Sequence, residues 1–81
     1  MQHNLLENED ICKIIAKNIR KYRKLKGITQ KQLADITGYS YAYIRRVESM
    51  NYNNNYSILT LYNICIALDI EISSLFDNKD I

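Results

Sequence analysis

The chain holds two glycines and no proline in 81 residues, and each glycine falls directly behind an amphipathic stretch. A small β-sandwich or barrel needs turn residues every roughly 8–12 positions. Helices closed by a left-handed glycine need far fewer. Ile11, Ile15, Ile19 and Tyr22 share one side of a helix over about residues 11–26, with Asp10 as its N-cap and Gly27 as its stop. Thr29 and Gln32 form a capping box for a second helix, about residues 30–37, which Gly38 ends. Leu33 and Ile36 are its inward residues. Ser40 caps a third helix, about residues 41–49, in which only Ile44 and Val47 must be buried. Ser57 caps a fourth over residues 58–68. It has a core stripe (Ile58, Leu61, Ile64, Cys65, Leu68) and a second apolar stripe (Leu59, Tyr62, Ile66). A short fifth helix, about residues 72–76, brings Ile72, Leu75 and Phe76. The expectation is one all-α domain of five helices over residues 11–76, after an acidic, mobile extension at 1–10 and before a frayed tail at 77–81.

Charge narrows the function. The net charge is +2, yet the segment 13–48 holds ten Lys/Arg against two acids, Asp35 and Glu48, with acidic segments on either side. At 100° per residue, Lys13, Lys17, Arg20 and Lys24 fall opposite the apolar side of the first helix, within about 60° of one another. A one-sided basic ridge suits a polyanion; a merely solvated helix face is the alternative. No uncharged run reaches the roughly 20 residues of a membrane span, and the polar, acidic start is not a signal peptide. Cys12 and Cys65, 53 positions apart, match neither a disulfide framework nor a metal site and read as reduced thiols in a cytosol. His3 is the sole histidine, and no glycine-rich phosphate loop or pair of carboxylates sits on one helix face. No enzyme, cofactor or metal is expected.

Ala34, Gly38, Ile44 and Val47 stand at offsets 0, 4, 10 and 13. Two short helices crossing steeply need a small residue where they approach, a sharp exit from the first, and an i, i+3 wedge on the second. An ordinary helical hairpin needs none of these at fixed places, so helices two and three read as a helix-turn-helix. From Ile15 to Phe76, about three-quarters of the chain, the sequence resembles the lambda-repressor/Cro-like (XRE-type) helix-turn-helix domains. The motifs that carry this are TQKQLA at 29–34, Ile44/Val47/Glu48 in YIRRVE, and ALDIEISSLF at 67–76. The resemblance implies a five-helix fold, helix three as recognition helix, and a homodimer on a pseudo-palindromic operator. Many members carry a glycine two residues after the glutamate, then basic residues. Here Met50, Asn51 and Tyr52 stand instead, which weakens ionic phosphate contacts from that loop.

Base edges in the major groove fall to the start of helix three: Ser40, Tyr41, Ala42 and, one turn on, Arg45, whose fork fits guanine. A phosphate contact is the alternative for Arg45. Phosphate contacts fall to Gln30, placed on the backbone by the resemblance, and to Lys31 at the positive end of helix two. Arg46, Tyr43 and the loop residues Asn51 and Asn53 are further candidates; half-buried packing is the alternative for Tyr43. The resemblance pairs Arg23 with Glu48 in a structural salt bridge. It also favours Leu59, Tyr62, Ile66, Leu75 and Phe76 as a dimer surface over a contact with the N-terminal extension. The implied protein is a small, dimeric, cytoplasmic DNA-binding regulator that acts as a repressor, with too little chain outside the domain for a sensor. A restriction–modification controller protein also fits, since similar controllers carry Tyr-Ile at the position of Tyr43 and Ile44. An antitoxin that holds a partner protein is the reading from another class.

Overall fold

The computed structural model describes residues 8–50 and 57–78. Among them lie four α-helices and no strand: α1 (Asn8–Lys26), α2 (Gln30–Thr37), α3 (Tyr41–Val47) and α4 (Ile58–Leu68), followed by a 3-10 turn (Ile72–Phe76). The expected fifth helix is thus a tighter single turn, as befits five residues with no side-chain cap. Helix α1 begins at Asn8, so Asp10 lies in its first turn rather than capping it. A carboxylate there still complements the positive end of the helix dipole.

Local chemistry sets the other boundaries. Thr29 Oγ1 accepts from the Gln32 N–H at 3.0 Å, and Gln32 Oε1 accepts from the Thr29 N–H at 2.8 Å. Ser40 and Ser57 cap α3 and α4 by accepting from the Tyr43 and Thr60 N–H groups. Gly27 and Gly38 stop α1 and α2 at φ of 77° and 81°, where a side chain is strained. Helix α4 ends without a glycine. Asp69 takes φ 56° instead, a conformation that short polar residues tolerate.

The core joins Ile15 and Ile19 of α1, Leu33 and Ala34 of α2, Ile44 and Val47 of α3, and Leu61, Ile64, Cys65 and Leu68 of α4. Full burial of Ile44 and Val47 contributes about 1.5–3 kcal/mol each. Two expected core residues are outside it: Ile36 is 56% and Ile58 68% exposed. On α2, Leu33 and Ala34 already fill the approach to α3, leaving Ile36 on the outer flank. Ile58 stands in the first turn of α4, at its outer end.

A polar side chain ties the ends of the domain together. Asn18 lies on the apolar side of α1, 2% exposed, and its amide donates to the carbonyls of Leu75 at 2.8 Å and Asp77 at 2.7 Å. The start of the expected frayed tail is therefore anchored. Replacing Asn18 with alanine leaves both carbonyls without their donor. It should cost about 1–3 kcal/mol and lower the melting midpoint without changing helix content, as circular dichroism can record.

Candidate nucleic-acid interface

Arg23 and Glu48 organise the region where α1, α2 and α3 meet. Arg23 is 8% and Glu48 4% exposed. Arg23 Nε donates to Glu48 Oε2 at 2.6 Å, and Nη2 donates to Oε1 at 3.0 Å. Nη1 donates to the Ile28 carbonyl at 2.8 Å. Gln30 Nε2 donates to the same Oε1 at 3.1 Å. One carboxylate thereby fixes the end of α1, the turn after Gly27, and the first residue of α2. Gln30, expected on DNA phosphate, has its amide turned inward to Glu48. Its contribution to an anion at this place reduces to its backbone N–H and second amide hydrogen. The first-turn N–H groups of α2 lack intrahelical acceptors, and Lys31 stands exposed beside them.

In front of this junction opens a cleft of about 520 Å³, lined by Arg20 and Lys24 of α1, by residues 27–31, and by Tyr41 of α3. Arg20 and Lys24 belong to the basic ridge but were not among the expected contacts. Their nearness to the Gly27 stop was the available signal, since residues at the end of α1 must border the start of α2.

Helix α3 presents Tyr41, Ala42, Arg45 and Arg46 to the outside. The Arg45 guanidinium lies over the Tyr41 ring, 5.5 Å from its centroid. This i, i+4 stack holds the arginine along the helix face and restricts its rotamers. Ser40 is exposed, with its hydroxyl capping α3.

Tyr43 takes up the half-buried packing that was its alternative to a phosphate contact. It is half-buried, its hydroxyl donates to Thr60 Oγ1 at 3.3 Å, and its ring packs at 5.2 Å on Tyr39. Asn63 donates to the Tyr39 hydroxyl at 3.1 Å. These two tyrosines bind the turn and α3 to α4. Asn51 and Asn53 lie outside the described residues.

The second apolar stripe, Leu59, Tyr62 and Ile66 on α4, is exposed, as is Phe76 on the 3-10 turn. Leu75 is not part of that surface. It is fully buried, because the 3-10 geometry sends Leu75 inward and Phe76 out. Burial also raises the pKa of the Cys65 thiol, so it stays protonated within the core. Among the described residues no group of side chains is placed to hold a metal ion, and no helix is long and apolar enough to cross a membrane.

A family model described as Helix-turn-helix (HTH_3) matches residues 19–75, which take in every element from the second half of α1 to the terminal turn. The chain belongs to this helix-turn-helix family. Its similarity to control protein C.SmaI of Serratia marcescens is 34% identity over 70 residues, 86% of this chain and 81% of that one. The crystal structure of the restriction–modification controller protein C.AhdI from Aeromonas hydrophila superposes with a TM-score of 0.73 at 33% identity, covering 83% of this chain and 97% of the other. SinR of Bacillus subtilis is 33% identical over 66 residues, 82% of this chain but 59% of SinR. The N-terminal DNA-binding domain of SinR superposes with a TM-score of 0.74. In a helix-turn-helix domain the second helix of the motif enters the major groove. In this chain the second helix of the motif is α3, and the basic cleft lies at its N-terminal side.

Proposed function

We propose that this chain is a transcriptional regulator that binds duplex DNA as a homodimer and represses from a pseudo-palindromic operator in the cytoplasm. The observation that carries this reading is the exposed α3 face, with Arg45 stacked on Tyr41, set beside a cleft rich in cations at the start of α2. Ser40, Tyr41, Ala42 and Arg45 meet base edges. Lys31, the first turn of α2, Arg46 and the cleft cations Arg20 and Lys24 hold phosphates. Leu59, Tyr62, Ile66 and Phe76 join the two copies, which sets the half-sites about one helical turn (~10 bp) apart.

The test is selection of bound duplexes from a randomised library, followed by footprinting. Two protected half-sites related by a dyad support the reading; the absence of any enriched sequence refutes it. Arg45→Ala should weaken binding to the selected duplex by about 5–150-fold, equivalent to about 1–3 kcal/mol, and relax selection at one base pair of each half-site. A loss that is uniform across sequences would make Arg45 a phosphate contact.

A second reading, a controller of a restriction–modification system, is favoured by the relatives. C.SmaI and C.AhdI are matched over most of their length, and SinR over little more than half. Restriction and methylation genes beside this one would decide for it.

A further inference from the structure

We propose that the basic ridge of α1 is a second backbone track, which takes phosphates of the duplex flanking the half-site. The inference rests on the DNA-binding reading and extends its footprint. Three depressions lie along α1 and share their cations. The cleft at the start of α2 is lined by Arg20 and Lys24. A second, of about 340 Å³, is lined by the same two residues with Lys17, Lys21, Met50 and Asp77. A third, of about 350 Å³, shares Lys17 and Met50 with the second and adds Lys13 and Asp10. The basic surface thus runs from Lys31 past Lys24, Arg20 and Lys17 to Lys13, with Asp77 bordering its middle and Asp10 its far end.

Lys13, Lys17, Arg20 and Lys24 are all exposed and keep to one face. From Lys24 to Lys13 the helix rises about 16 Å. A DNA strand advances about 3.4 Å per nucleotide along its axis, so the ridge spans roughly five nucleotides of one strand. The occupant is argued from charge and from continuity with the α3 interface: a duplex seated on α3 already places phosphates at Arg20 and Lys24, and its flank needs only to curve towards α1 to reach Lys17 and Lys13. Asp77 narrows the track at its middle and Asp10 at its far end, so the phosphates keep to the lysine side. The ridge has no aromatic residue aligned with it for stacking unpaired bases, which makes duplex backbone the better occupant than a single strand.

The experiment compares two duplexes: the selected operator trimmed to its protected bases, and the same operator with about one further helical turn (~10 bp) on each side. The proteins are the full chain and its Lys13→Gln/Lys17→Gln variant, whose replacements are exposed and should leave the melting curve unchanged. The wild-type chain should prefer the longer duplex. The variant should bind it roughly tenfold more weakly at about 0.15 M salt, with a log–log salt slope shallower by about 1.8, and should bind the trimmed duplex as well as wild type does. Equal losses on both duplexes would place the two lysines within the half-site contacts and overturn the proposal. A wild-type chain indifferent to length would overturn it too, leaving the ridge to an acidic protein or to solvent. Failure of the wild-type chain to bind even the trimmed operator would instead sink the DNA reading itself.

Discussion

Glu48→Ala should lose most of the stability of this domain, and with it all DNA binding. The carboxylate is the acceptor for two Arg23 donors and for Gln30. Removing it leaves a guanidinium buried without its counter-charge, which costs about 3–5 kcal/mol. In a domain of this size that lowers the melting midpoint by roughly 15–30 °C. Glu48 faces inward, so the binding defect follows from the lost fold. A normal melting curve for Glu48→Ala, with binding abolished, would show that Glu48 acts on DNA directly. A second variant separates charge burial from packing. Replacing the pair together, by Arg23→Met with Glu48→Leu, removes both charges and should recover much of the stability, because a well-packed apolar pair often equals a buried ion pair. The Ile28 carbonyl and the Gln30 amide would still lack their partners, so recovery should fall short of wild type.

The second large effect is expected at Leu75. Its side chain is fully buried, and its carbonyl accepts from Asn18. Leu75→Ala opens a cavity between α1, α4 and the terminal turn, at a cost of about 2.7–5 kcal/mol. The neighbouring stripe should behave otherwise. Leu59 is 62% exposed, and Leu59→Glu should change the unfolding of the single chain by no more than about 0.5 kcal/mol. Its expected effect is on assembly, read by sedimentation across a concentration series. If Leu75→Ala also left the melting midpoint intact, the burial of the terminal turn would be wrong.

What could be read from the residues alone was what acts over three or four positions. The Thr29–Gln32 box, the caps at Ser40 and Ser57, and the stops at Gly27 and Gly38 are each set by a side chain and the backbone next to it. The wedge of Ile44 and Val47 was legible for the same reason. Which of two apolar flanks is buried was not. Ile36 and Ile58 match a helical period, but their exposure is decided by where the neighbouring helices end. Leu75 left the exposed surface it was expected to share with Phe76, in part because a turn of three residues has a different phase from one of 3.6. Asn18 carries a signal of its own. It interrupts the stripe of Ile15, Ile19 and Tyr22, and a polar residue there must find partners; these turned out to be carbonyls 57 and 59 positions away. At the interface, the residue types on α3 and the cationic ridge were visible in the sequence. The inward turn of Gln30 and Tyr43 was not, because their partners Glu48 and Thr60 come from other parts of the chain.

The two tyrosines that bolt α3 and its approach to α4 have one more effect. If α3 reads duplex DNA as proposed, the ties of Tyr43 to Thr60 and of the preceding Tyr39 to Asn63 hinder it from rocking on its own to suit an ill-fitting site. Any misfit must then be absorbed by the nucleic acid. Steps that kink or twist with little resistance should be enriched even at operator positions that no side chain touches.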